Sequence, residues 1–159
     1  MKKLFALLLS FGLFAGFAAT APAADEARYG RQKVVYHVNY YGAKRQKAAL
    51  RNIQNHINAV GAANLDLQVV MHGNGVSLVM EPGTDKGTRM KEANATQEMQ
   101  ARIAGLKDQG VEFKVCANTL KGRKIPMDAL YDIDQEDIVP SGVAELAHLQ
   151  GMGYAYIKP

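Results

Sequence analysis

Residues 33–71, KVVYHVNYYGAKRQKAALRNIQNHINAVGAANLDLQVVM, decide the fold because a strand, a helix and a second strand follow one another there. Residues 33–39 are rich in β-branched and aromatic side chains, which is typical of a buried strand. Apolar side chains then recur at helical spacing, at Leu50, Ile53, Ile57 and Val60, until Gly61 ends the helix. Residues 65–71 repeat the pattern of the first strand. The stretch therefore predicts a β-α-β unit, which pairs its two strands in parallel.

The same alternation continues along the chain. We predict a helix over residues 90–109, a strand over 111–115, a brief strand at 138–139, a helix that begins at 140–141 and a last strand over 154–157. Strands that alternate with helices favour a parallel sheet covered on both faces. The predicted fold class is therefore α/β: a flavodoxin-like three-layer fold with a mostly parallel sheet of about five strands.

The first residues are typical of an export signal rather than of a folded domain. Lys2 and Lys3 precede an apolar run over residues 4–18, and Ala21-Pro22-Ala23 supplies the small residues that a signal peptidase needs. A membrane-spanning helix needs about 20 apolar residues, and this run is interrupted earlier. We predict a cleaved signal peptide over residues 1–23, a single domain over 24–159, and a periplasmic location with no stable membrane anchor.

Charge and cysteine content narrow the classes of function. The chain has 19 basic and 15 acidic side chains, and cleavage would remove Lys2 and Lys3, which leaves 17 basic against 15 acidic. This balance does not favour nucleic-acid binding. Cys116 is the one cysteine of the chain, so no intrachain disulfide can form. In an oxidising compartment, a lone thiol is either buried and inert or kept for its reactivity.

Cys116 is expected between a strand and a helix start, where backbone N–H groups and the helix dipole favour an anion. Lys114 lies two residues before it, and Asn118 and Thr119 follow it in the segment that begins the helix. These groups would lower the pKa of the thiol and stabilise its thiolate. Burial would instead make Cys116 an inert, small hydrophobic residue, and the residues leave both alternatives open.

His37 and His72 each fall at the expected carboxyl end of a strand, as Cys116 does. In open α/β sheets, ligands bind at this edge. Either histidine could exchange a proton with the thiol, and the two histidines with Cys116 could also bind zinc. No short metal-ligand spacing supports a metal site, and a lone histidine at a strand end is more often a structural residue. We therefore expect no metal and no organic cofactor.

Several segments of the chain carry a resemblance to a known family. They are residues 33–38, 69–73, 111–120 and 138–146 and the ending Gly-Tyr-Ala-Tyr-Ile-Lys-Pro. Together they resemble exported members of the DsrE/DsrF-like family. The resemblance implies a flavodoxin-like fold and a homo-oligomer, commonly a trimer or a hexamer. In several members of that family a cysteine carries sulfur as a persulfide, which implies that Cys116 is the sulfur carrier.

Three hypotheses about function follow. The first is a periplasmic protein that accepts sulfane sulfur on Cys116 and relays it, with His37 or His72 as proton partners and Lys114, Asn118 and Thr119 stabilising the anion. Its sulfur donor and acceptor are not defined by the sequence. The second is a non-catalytic oligomeric binding or scaffold module in which Cys116 is only packed. The third is a zinc or haem protein that uses His37, His72 and Cys116 as ligands.

Overall fold

The computed structural model describes residues 26–159, so the predicted signal peptide, residues 1–23, lies outside the described residues. The strands are β1 (Gln32–Val38), β2 (Leu65–Met71), β3 (Glu112–Cys116), β4 (Ile138–Val139) and β5 (Ala155–Ile157). The helices are α1 (Glu26–Tyr29), α2 (Ala43–Val60), α3 (Gln97–Lys107), α4 (Ala117–Arg123) and α5 (Gly142–Gly151). Over residues 26–159, no helix combines the length and the apolar character that a membrane crossing requires.

The five strands form one sheet in the order β4-β3-β2-β1-β5, and every neighbouring pair is parallel. From β1 to β4 the chain therefore moves across the sheet in one direction. It then returns to place β5 on the free side of β1. The predicted α/β class and parallel sheet are confirmed, although flavodoxin itself orders its strands 2-1-3-4-5.

Helices cover both faces of the sheet, as a three-layer fold requires. On one face, Val34, Tyr36 and Val38 of β1 share a core with apolar side chains of α2 and α3, including Ile53 and Ile103. On the other face, a smaller cluster joins β1 and β2 to α5 and the start of the last strand, through Val35, Val70, Leu146, Leu149 and Tyr154. Alternate residues of β1 are thus buried on opposite faces, which explains why residues 34–38 of this strand are buried without interruption.

The predicted helix over residues 90–109 is wrong at its beginning, because α3 begins only at Gln97. The preceding residues use their backbone N–H groups elsewhere. Asn94 N–H donates to the carbonyl of Ser77, and Ala95 N–H donates to the carbonyl of Met80. These bonds hold the segment against the chain that follows β2, so it cannot form helical bonds with its own neighbours.

The turn after β2 packs directly on the end of β1. Residues Gly73–Leu78 form a 3-10 helix, and His72 N–H donates to the carbonyl oxygen of Val38 at 3.3 Å. A Cβ atom on Gly75 would lie 1.9 Å from that same oxygen. Only glycine therefore allows this approach, which fixes the carboxyl ends of β1 and β2 beside one another.

Candidate functional site

The register of the sheet places the sequence-predicted residues at one edge. Met71 of β2 pairs with Val115 of β3, so the next residues, His72 and Cys116, lie opposite one another on adjacent strands. His37 occupies the end of β1, beside β2. Because side chains alternate along a strand, these positions share the face of the sheet that α5 covers. The strand order thus brings His37 and His72 into contact and His72 next to Cys116, which the sequence alone did not determine.

The first residue of α5 lies directly over this edge. A Cβ atom on Gly142 would be 2.9 Å from Cβ of His72 and 3.2 Å from Cβ of Cys116. Real Cβ contacts are almost never that short, so this position has room only for glycine. The close approach also brings the N–H of Gly142 to the sulfur of Cys116, where it donates a hydrogen bond.

Two opposing influences act on the Cys116 thiol. Burial raises its pKa, since the side chain is only 5% exposed, but hydrogen bonds to the sulfur outweigh this effect and the pKa is lowered overall. The donors are the hydroxyl of Thr119 and the backbone N–H groups of Gly142, Thr119 and Asn118. Thr119 Oγ1 itself accepts from Gly73 N–H at 2.8 Å, which leaves its own proton for the sulfur. Asn118 and Thr119 are the residues for which the sequence predicted a role in stabilising the anion.

His37, His72 and Tyr156 form a hydrogen-bonded chain. The Nε2 atoms of the two histidines are 2.7 Å apart, and their rings stack with centroids 4.7 Å apart. His37 Nδ1 lies 2.6 Å from the hydroxyl oxygen of Tyr156 on β5. Tyr156 is 43% exposed, whereas His37 is buried. The chain therefore runs from the solvent at β5 to His72, beside Cys116.

His37 and His72, the two histidines of this hydrogen-bonded chain, both favour the neutral form. Burial, the neighbouring His72 and the charge of Lys158 lower the pKa of His37 to about 4. Burial and Lys158 also lower the pKa of His72. When both rings are neutral, the short contact between their Nε2 atoms requires that one Nε2 carries a proton and the other accepts it. A proton taken up by one ring can therefore pass to the other ring through this contact.

A cleft of about 410 Å³ opens beside the sulfur. It is lined by His72, Cys116, Asn118, Thr119, Gly122, Arg123, Ser141 and Val143. Arg123 is the one side chain of this lining with a permanent charge. Its Nη1 donates to the carbonyl oxygen of Arg89 at 3.0 Å and its Nη2 to Oδ1 of Asn74 at 3.1 Å. The guanidinium group is thus held in place by neutral acceptors.

Lys114, predicted to stabilise the thiolate, lies among carboxylates. Its Nζ is 3.1 Å from Glu112 Oε2 and 3.6 Å from Asp137 Oδ1. Its charge is therefore paired, and it is not among the groups that lower the pKa of Cys116. As for a metal, residues 26–159 contain no group of three or more His, Cys, Asp or Glu side chains that could hold one.

Sequence reasoning missed Tyr156 and Gly142. Tyr154 and Tyr156 are two residues apart and therefore point to the same face of the sheet, but only the pairing of β5 with β1 brings Tyr156 to His37. Gly142 looks in the sequence like an ordinary residue of a helix start. Its role depends on how closely α5 approaches the sheet, which no local pattern encodes.

The fold and the site define a class: a three-layer α/β protein with one hydrogen-bonded cysteine at the carboxyl edge of a parallel sheet. The sequence profile of the DsrE/DsrF-like family matches residues 32–159. The chain therefore belongs to the DsrE/DsrF-like family, as the resemblance of its segments indicated.

Solved structures share the fold. MTH1491 from Methanobacterium thermoautotrophicum, described as a protein of unknown function, is 26% identical and superposes with a TM-score of 0.63 over 80% of this chain and 99% of its own. The ychN protein from E. coli is 20% identical, with a TM-score of 0.54 over 81% of this chain and 99% of its own, a likeness of fold alone. A search of curated proteins found no match.

Proposed function

We propose that this protein accepts sulfane sulfur on Cys116 as a persulfide and relays it to a second thiol. The observation that carries the proposal is the set of hydrogen bonds to the Cys116 sulfur, which lower the pKa of a nearly buried thiol at the wall of an open cleft. A cysteine that only filled space would have its pKa raised by burial. Membership of the DsrE/DsrF-like family supports the same chemistry.

The transfer needs no oxidant or reductant. The Cys116 thiolate attacks the outer sulfur of a donor persulfide, a new S–S bond forms, and the donor leaves as a thiolate with the electron pair of the broken S–S bond. An acceptor thiolate then attacks the outer sulfur on Cys116 and regenerates the Cys116 thiolate. Exchange of this kind depends on the thiolate fraction and on access to the sulfur.

The histidine pair transfers the protons of this cycle between the Cys116 thiol and solvent. His72 lines the cleft, and its Nε2 meets His37 Nε2, which is joined through Nδ1 to the exposed Tyr156. A proton that leaves the thiol can therefore reach solvent without crossing the cleft. In this scheme His37 and His72 are the proton partners of Cys116, as the sequence predicted, and Tyr156 is the outer end of the relay.

Location and assembly belong to the same proposal. The pattern of residues 1–23 supports export to the periplasm with cleavage of the signal peptide. A homo-oligomer, a trimer or a hexamer, is supported by apolar side chains left in solvent on α5 and directly after it, of which Val143 is 65% and Met152 49% exposed. The donor and the acceptor of sulfur would be other molecules of that compartment.

The rate of alkylation of Cys116 against pH, with the intact mass of the protein, tests the function. We expect a native thiol with an apparent pKa below the free-cysteine value of about 8.5, and a mass increase of one sulfur after incubation with polysulfide. Cys116→Ser is the control, because it removes the chain's one thiol and should gain no sulfur. A Cys116→Ser protein that still took up one sulfur atom per chain would exclude Cys116 as the carrier.

The near-complete burial of Cys116 favours one other function, a binding or scaffold module in which the thiol is packed. That protein would be alkylated only after denaturation and would keep an unmodified mass. A Cys116→Ala variant would then differ from the wild type in stability alone. The same alkylation experiment therefore separates the two functions.

A further inference from the structure

The cleft beside Cys116 has an unbalanced positive charge. Arg123 donates to Asn74 and to the carbonyl oxygen of Arg89, both neutral, and among residues 26–159 no carboxylate lies within ion-pair distance of it. The lining of the cleft contains no acidic side chain. A guanidinium group has five N–H donors, so this one keeps donors to offer after its two internal bonds.

We propose that this cleft is the subsite for a small anionic donor of sulfane sulfur, whose negative head group binds Arg123 while its sulfane sulfur faces Cys116. The cleft, at about 410 Å³, lies within the roughly 300–1,000 Å³ that is typical of small-molecule sites. A fixed guanidinium group can donate two parallel hydrogen bonds to a pair of oxygens of a carboxylate or of a sulfur oxyanion, which an ammonium group cannot do. Arg123 is therefore the specificity-determining residue for the donor.

The donor subsite rests on the proposed function of Cys116 and completes its first step. With thiosulfate as the donor, the Cys116 thiolate attacks the outer sulfur, and the new S–S bond forms as the bond to the sulfonate sulfur breaks. The electron pair of that bond leaves on sulfite. The reactants and the products, a persulfide anion and a sulfite dianion, carry the same total charge of −3, so no further reagent is needed. An organic persulfide with a carboxylate would use the same subsite and leave as a thiolate.

Paired alkylating reagents test the subsite independently of sulfur chemistry. Iodoacetate is an anion and iodoacetamide is its neutral analogue of similar size. The rate of Cys116 alkylation by iodoacetate divided by the rate with iodoacetamide therefore measures the preference of the cleft for an anion. We expect this ratio to fall about tenfold in Arg123→Gln, a size suited to one partly screened charge pair. Arg123→Lys, which keeps the charge, should retain most of the preference. Lys121→Gln removes a solvent-exposed charge outside the cleft lining and should change the ratio less than about twofold.

Protection by thiosulfate and sulfur loading complete the test. Thiosulfate should slow labelling by iodoacetamide in the wild type and in Lys121→Gln, but not in Arg123→Gln, and glutathione persulfide in place of thiosulfate distinguishes an organic donor from an inorganic one. Equal rate ratios in the wild type and Arg123→Gln would overturn the subsite, while sulfur loading from polysulfide would still support the relay. Anion preference without any sulfur on Cys116 from thiosulfate, glutathione persulfide or polysulfide would overturn the donor assignment together with the relay. A native thiol that neither reagent reaches would overturn both as well.

Discussion

Acid should destabilise this protein through His37, and the structure gives the size of the effect. Burial, His72 and Lys158 lower the pKa of His37 from 6.5 to about 4 in the folded protein. Between these values the unfolded chain binds a proton that the folded chain does not bind. The stability associated with neutral His37 is therefore complete above pH 6.5 and is lost as the pH falls towards 4. The loss amounts to about 3 kcal/mol, a large part of the roughly 5–15 kcal/mol that stabilises an ordinary domain.

His37→Asn isolates this contribution because asparagine does not titrate. We expect the variant to be less stable than the wild type at pH 7, and the difference between the two proteins to shrink by about 3 kcal/mol at pH 4. Urea unfolding followed by circular dichroism, repeated at half-unit pH steps, gives both free energies of unfolding. His148→Asn, at an exposed position on α5, is the matched control and should follow the wild type at every pH. Parallel stability curves for the wild type and His37→Asn would refute the reasoning.

Substitutions of the residues around the Cys116 sulfur should differ in their effects on stability and on the pKa of the thiol. Gly142→Ala would place a Cβ 2.9 Å from His72 and 3.2 Å from Cys116, so we expect a loss of about 1–3 kcal/mol in urea unfolding and slower alkylation of the thiol. Thr119→Val removes a donor to the sulfur and should raise the apparent pKa of Cys116, measured by alkylation against pH. Lys114→Gln should leave that pKa unchanged, since the Lys114 charge is paired with carboxylates; a rise equal to that in Thr119→Val would contradict this assignment.

The strands of this protein were largely predictable from local sequence, because burial on both faces demands continuous apolar and β-branched runs. The predicted strand over residues 65–71 coincides with β2, and the brief strand at 138–139 coincides with β4. The start of α3 was not predictable, since residues 90–96 have a composition compatible with a helix. Their hydrogen bonds to Ser77 and Met80 form only when the chain after β2 is in place.

The site was predictable only as a set of strand ends. His37, His72 and Cys116 were found because each lies at or next to the carboxyl end of a strand, but the sequence does not reveal the order of the strands in the sheet. The order β3-β2-β1-β5 makes neighbours of these residues and adds Tyr156 from a strand far away in the chain. The contact at Gly142 likewise depends on the distance between α5 and the sheet, which is a property of tertiary packing.

The position of β5 also has a consequence for the order of folding. Val34 and Ala155 are paired although they are separated by about 120 residues, a long-range contact that carries a high entropic cost of loop closure. We therefore expect the pairing of β5 with β1 to be among the last steps. Until it occurs, β1 has an open edge on which another extended chain could pair, and His37 has no Tyr156 beside it. A molecule in which β5 has not yet paired with β1 would therefore be prone to aggregate, and its proton relay would lack the outer end that Tyr156 provides.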